Sequence, residues 1–202
     1  MLELDTAPRA ALALCFAVLA GTAASAQQTP DFSGSWQLNR EISDDVKAQI
    51  EQAAGPASMK GGGYESDRVL PRGSGGSEVD RVQLRRWLIQ RAGEYERLTI
   101  EQTAAELKLL GAESSMRIFY FGRPSTRQPE AGPRLTGSMR WDGEQLVVEE
   151  SGKEGWKIIE VYTLVPGGDR LNVAVRFEVD VFEEPIDLKL GYQRAKPEGG
   201  VR

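Results

Sequence analysis

"TPDFSGSWQLNREISDD" (residues 29–45) places Phe32, Gly34, Trp36 and Leu38 two apart and then changes to residues that start helices. A period of two puts those four on one face of a strand. Ile42-Ser43-Asp44-Asp45 then reads as a helix start. Ser43 is suited to cap free backbone N–H groups, and the two aspartates complement the positive end of the helix. Val46, Ile50, Ala53 and Ala54 follow on one helical face.

Upstream, "AALALCFAVLAGTAASA" (residues 10–26) is an apolar run of small residues ending in Ala24-Ser25-Ala26. That is the pattern of a signal peptide with an A-x-A cleavage site. Residues 1–26 are therefore expected to be a leader, and the protein to be exported, periplasmic or secreted. Cys15, the chain's one cysteine, lies inside the run and follows Leu14, so a lipid anchor is not expected. Cleavage after Ala26 leaves no thiol and no disulfide. Residues 27–202 are long enough to bury a core unaided.

The whole chain carries a net charge of −5, which argues against a general nucleic-acid binder. It has no histidine. A Ser-His-Asp triad, an HExxH zinc site and a histidine-ligated haem are all excluded. The acidic group Glu178, Asp180, Glu183, Glu184 and Asp187 lacks the spacing of a calcium loop. Glu149 and Glu150 are adjacent on a strand, so they point to opposite faces and do not form a cooperating pair. No cofactor, no metal and no catalytic motif is expected.

Gly55 to Ser77 is rich in glycine, proline and serine and reads as a long mobile loop. Val79 to Ala92 has helical spacing, with Leu84, Trp87, Leu88 and Arg91 along one stripe and Arg81, Arg85 and Arg86 on the remaining surface. From Tyr95 the period returns to two. The segments "YERLTIEQ", "AELKLLG", "SMRIFYFG", "RLTGSMRW", "EQLVVEE", "WKIIEVYTLV", "RLNVAVRFEVDV" and "IDLKLGYQR" are successive strands. The clearest is Leu171, Val173, Val175, Phe177, Val179 and Val181, interleaved with polar residues. Turn residues separate the strands at Asp142-Gly143, Ser151-Gly152-Lys153 and Pro166-Gly167-Gly168-Asp169. The expected fold is all-β: one antiparallel up-and-down β-barrel of about eight to ten strands, with a helix–loop–helix insertion at 43–92 after the first strand.

Phe32-Ser33-Gly34-Ser35-Trp36-Gln37-Leu38 resembles the F-x-G-x-W-x-L start of the lipocalin and fatty-acid-binding protein superfamily, the calycins. Trp141-Asp142-Gly143 is similar to the W-D-G hairpin of fatty-acid-binding proteins, and Tyr192-Gln193-Arg194 to their terminal Y-x-R/K. The stretch "DFSGSWQLNREISDD" (residues 31–45) also resembles the start of exported bacterial lipocalin-like proteins. The resemblance spans about residues 31 to 195 and implies a barrel closed at one end by Trp36 and capped at the other by a helical pair. It implies too that Arg194 packs over Trp36 as a barrel-closing pair. Leu190 stands where the family's R-x-Y fatty-acid clamp has its arginine, leaving Tyr192 alone. Glu149-Glu150 stands where an inward arginine is common, and the lipocalin T-D-Y motif is missing.

Tyr192, Phe177, Phe119, Tyr120 and Tyr162, with Trp87 from the helix, are candidates to line an apolar cavity with a few polar handles. The same residues serve equally as the core of a filled barrel. Two functions stay open: an exported carrier of a small hydrophobic molecule in the cell envelope, and an interaction module with a filled barrel. In the second, Arg81, Arg85 and Arg86 meet a membrane surface or an acidic partner. An isomerase- or cyclase-like activity is chemically permitted by Asp, Glu, Lys or Tyr, with no motif in its favour.

Overall fold

The computed structural model describes residues 29–53, 81–112, 115–129, 132–153, 155–180 and 182–196. The leader assigned to 1–26, the Gly55–Ser77 loop, the helix start at Val79, Ala54 and Val181 lie outside the described residues. In chain order the elements are β1 (Gly34–Leu38), α1 (Val46–Ala53), α2 (Arg81–Glu94), β2 (Arg97–Gln102), β3 (Glu106–Leu110) and β4 (Met116–Tyr120). There follow β5 (Ser125–Arg127), β6 (Leu135–Asp142), β7 (Gln145–Gly152), β8 (Lys157–Leu164), β9 (Arg170–Glu178) and β10 (Ile186–Arg194).

The ten strands form one sheet in the order β4-β3-β2-β1-β10-β9-β8-β7-β6-β5, antiparallel throughout. Its two edges, β4 and β5, are consecutive in the chain and joined by only four residues, 121–124. The sheet must therefore curl until those edges meet. A Phe121–Met139 bridge sits at the seam, and the barrel is nearly closed. Hairpins drive the meander. The β6–β7 turn, for example, pairs Asp142 with Gln145 across two residues, and Gly143 takes the left-handed φ of 61° that such a turn favours.

One strand, β5, is missing from the expected series. Ser125-Thr126-Arg127 has no apolar alternation, and it pairs with β6 because Gly137, Thr136 and Leu135 present a free ladder edge. The helix start also differs. The Asp45 carboxylate caps α1, accepting from the Ala48 N–H at 3.0 Å. Ser43 lies two residues too early for that role. Its hydroxyl donates to the Asn39 carbonyl at 2.6 Å and accepts from the Gly191 N–H at 2.9 Å, tying the loop to β10.

Inward-facing residues alternate as the period requires. Leu171, Val173, Val175 and Phe177 on β9 are buried, and Val179 just beyond the strand is buried too. Val175 pairs with Leu188, Val173 with Leu190 and Leu171 with Tyr192 on β10, so two adjacent strands present one continuous apolar wall. At one end of the barrel, Phe32 stacks on Trp141 (5.9 Å between ring centroids), Trp141 on Phe121 (6.0 Å), and Tyr162 meets Phe32 edge-on. At the other end α2 lays Leu84, Trp87 and Leu88 inward, with Trp87 against Trp156 at 5.0 Å.

Candidate functional site

The apolar stripe of α2 carries one charged residue, Arg91, and the helix delivers it into the barrel with about 1% of its surface exposed. Three wall strands supply its surroundings. β4 contributes Arg117, β7 Glu150, and β8 Glu160 and Tyr162, each on the inward phase of its strand. Arg127 reaches in from β5, and Glu94 and Tyr95 from the end of α2 and the turn after it.

Glu160 is the centre of the cluster. Its Oε1 accepts from Arg91 Nη2 at 2.7 Å and from the Tyr95 hydroxyl at 2.6 Å. Its Oε2 accepts from Arg117 Nη1 at 2.8 Å and from the Tyr162 hydroxyl at 2.6 Å. Half of its donors thus come from the helical cap and half from the wall. Glu150 is held by Arg127 through both oxygens and receives longer contacts from Arg91 (3.2 Å) and Arg117 (3.4 Å). Arg91 Nη1 donates to Glu94. Three arginines and three glutamates therefore meet here among the described residues, and their charges cancel. Arg91 Nε has no hydrogen-bond partner among the described residues, so the cap side of the cluster is less fully satisfied than the wall side.

Burial is the largest influence on the Glu160 carboxyl and pushes its pKa up, yet Arg117 and Arg91 outweigh it and hold the group well below the usual carboxylate range. Glu150 is likewise lowered, its burial overcome by Arg91, Arg117 and Arg127. The Tyr95 and Tyr162 hydroxyls are pushed well up, first by burial, with Glu160 adding to the rise. The linkage follows from these directions. Lowered carboxylates contribute stability above their unfolded value near 4.3 and lose it as pH falls. Raised tyrosines contribute below their unfolded value near 10 and lose it as pH rises. A melting temperature that is flat from about pH 5 to 9 and falls on both sides is the expected profile. A melting temperature that rises below pH 4 would contradict the buried carboxylate pair.

Tyr162 and Tyr192, from the expected cavity lining, join this centre. The Tyr192 hydroxyl donates to the Tyr95 carbonyl at 3.0 Å. Phe119 lies beneath the Arg117 guanidinium, 5.9 Å from its ring centroid. Phe177 is on the adjacent wall, and Trp87 is at the cap with Trp156. Tyr192, Phe177, Phe119 and Tyr162 are each no more than about 1% exposed and belong to one buried core cluster. Tyr120 is elsewhere. It occupies the outward phase of β4, where Arg123 covers its ring at 3.9 Å. Arg85 and Arg86 are exposed on α2, whose first residue is Arg81. Glu149 faces outward and pairs with Lys157 at 3.2 Å, while Glu150 faces inward. Glu183, Glu184 and Asp187 line an open cleft of about 300 Å³ against α1, and Asp187 is paired with Arg176. Among the described residues no group of acidic side chains is arranged to hold a metal ion.

At the opposite end, Trp36 and Arg194 are register partners on β1 and β10. The guanidinium carbon sits 4.3 Å from the Trp36 ring centroid. Arg194 also donates to the Ser33 carbonyl at 2.8 Å and the Gly168 carbonyl at 3.1 Å. Gly34 has a φ of 136°, and a Cβ there would collide with the Arg194 guanidinium. The glycine between Phe32 and Trp36 thus makes room for the arginine.

No family model and no curated protein sequence matches the chain. Solved structures do. The REP1-NXSQ fatty acid transporter is 13% identical over 83% of this chain and 98% of its own, with a TM-score of 0.50. Fatty-acid-binding protein 1 of Echinococcus granulosus is 10% identical over 82% and 98%, at 0.48. A fatty-acid-binding protein from Drosophila melanogaster brain is 11% identical over 81% and 99%, at 0.49. The fold is that of the fatty acid transporter, an up-and-down antiparallel barrel. Identities this low carry the fold and nothing finer. The sequence already departs from the family's R-x-Y clamp at Leu190. Leu190 is a buried apolar wall residue, Glu150 points inward, and the cluster's three arginines are each engaged with glutamates.

Proposed function

We propose that this protein is an exported barrel that binds a small, largely apolar molecule beneath α2 and carries it in the cell envelope. The observation that carries the reading is the ion cluster at the heart of an apolar barrel, shared between a capping helix and the sheet wall. Apolar side chains of similar volume fill a core at least as stably as buried ion pairs do. Buried, strongly perturbed titratable groups concentrate at functional sites. The fold, shared with a fatty acid transporter, and the A-x-A leader pattern support the same reading.

The arrangement described is the closed one. Arg91 and Tyr95 fill the volume around Glu160, whose other oxygen is held by Tyr162, and Tyr192 donates to the Tyr95 carbonyl. A ligand enters this volume when α2 and the turn after it withdraw the Arg91 and Tyr95 side chains and release the Tyr192 hydroxyl from the Tyr95 carbonyl. The free energy of burying its apolar surface, about 25 cal/mol per Å², offsets the loss of the latch.

Packing this complete also favours a second reading, a docking module with a filled interior that presents Arg85 and Arg86. One experiment separates the two. The protein purified from its own cell fraction is weighed by native mass spectrometry, then delipidated and titrated with Nile red. A co-purifying molecule, or a blue-shifted dye signal saturating at one site per chain, is the result expected of a carrier. Neither appearing would leave the docking module.

A further inference from the structure

The charge balance of the cluster says which head group the barrel accepts, and we infer that it is an uncharged hydrogen-bond donor, an alcohol or amide, held by Glu160 while fatty acids are rejected. The inference rests on the carrier reading above. In the closed form Arg91, Arg117 and Arg127 face Glu94, Glu150 and Glu160. Withdrawing α2 removes Arg91 and Glu94 together. The wall keeps Arg117 and Arg127 against Glu150 and Glu160, again in balance. In neither form does the cluster hold a cation in excess of its carboxylates. A carboxylate head would enter as an unpaired buried charge beside two others of its own sign, which is strongly unfavourable.

What the helix vacates has a definite polarity. Glu160 Oε2 keeps its wall donors, Arg117 and Tyr162. Glu160 Oε1 loses Arg91 Nη2 and, because the turn after α2 moves with the helix and gives up the Tyr192–Tyr95 hydrogen bond, the Tyr95 hydroxyl as well. Glu150 Oε2 loses its contact from Arg91 but keeps Arg127. The open site is therefore a buried carboxylate oxygen with no donor, and leaving a buried charged acceptor unsatisfied is costly. An O–H or N–H of the ligand restores one of the two lost bonds without changing the charge. An ester or hydrocarbon of the same length does not.

The test is displacement of Nile red from the delipidated full chain at pH 7.5 by 1-dodecanol, dodecanamide, methyl dodecanoate and dodecanoate. The alcohol and amide are expected to bind at least about tenfold more tightly than dodecanoate, with the methyl ester weaker than the alcohol. Dodecanoate binding as well as or better than dodecanol would overturn the inference while leaving the carrier reading intact. So would a methyl ester equal to the alcohol, or a bound dye that none of the four displaces. Failure of the dye itself to bind would remove the carrier reading and the inference with it. A folded Glu160→Gln variant gives a second readout. Its wall carries one positive charge in excess, so the preference should move toward dodecanoate, and an unchanged ratio would count against Glu160 as the contact. Should that variant fail to fold, the wild-type ratios still decide.

Discussion

Glu160→Ala is expected to lower folding stability by about 3–5 kcal/mol, the usual cost of breaking a buried ion pair from one side. The substitution leaves Arg91 and Arg117 buried with Glu94 and Glu150 as their remaining partners, and it removes the acceptor of two buried hydroxyls, Tyr95 and Tyr162. Each orphaned buried hydroxyl adds about 1–3 kcal/mol of its own, in part already contained in the pair figure. Glu160→Gln retains the shape and one acceptor oxygen and should lose less. Glu149→Ala is the control. Its carboxylate faces outward, pairs with Lys157 at the surface and should change stability by no more than about 0.5 kcal/mol. Urea midpoints of the three variants check the order. Equal losses for Glu160→Ala and Glu149→Ala would mean that the cluster does not form.

The same cluster shows what a sequence makes legible and what it hides. Glu160 lies between Ile158 and Tyr162 in a strand that alternates cleanly, and Glu150 follows Leu146 and Val148 in phase. A carboxylate on the apolar phase of a strand is a readable sign of a polar interior. Arg91 is similarly readable, since it shares its stripe with Leu84, Trp87 and Leu88. Arg117 is not. Met116, Ile118 and Tyr120 are apolar on one phase of β4 and Phe119 and Phe121 on the other, so the period cannot choose a face. Burial chose the second, leaving Met116 exposed. Arg127 sits on a three-residue strand too short to have a period at all. Which of these side chains meet depends on wrapping the sheet round until β4, β7 and β8 surround α2. That is a tertiary relation with no local signature. The barrel itself was legible for the opposite reason, because its strands, hairpin turns and first-strand spacing are all local patterns.

Trp36→Ala is the second large effect expected, roughly 3–5 kcal/mol for deleting a fully buried aromatic. The indole does three things at once. It packs in the core at the end of the barrel lined by Phe32, Trp141 and Phe121, its Nε1 donates to the Phe32 carbonyl at 3.0 Å, and its face carries Arg194. Arg194→Ala removes the cation–π contact, about 0.5–2 kcal/mol, together with hydrogen bonds to Ser33 and Gly168 that lie near solvent and are worth about 1 kcal/mol each at most. Its effect should be the milder one. β1 and β10 are the first and last strands among the described residues, yet they are neighbours in the sheet, and the two side chains meet across them. The contact therefore exists only in the closed sheet and belongs to the native state alone. The double variant should then lose less than the sum of the singles by about the energy of the shared contact. Denaturant unfolding of the four proteins in the cycle measures that difference. Strictly additive losses would show that the guanidinium and the indole do not act together, and Gly34 would be left with no steric reason, beyond its own backbone angle, to be a glycine.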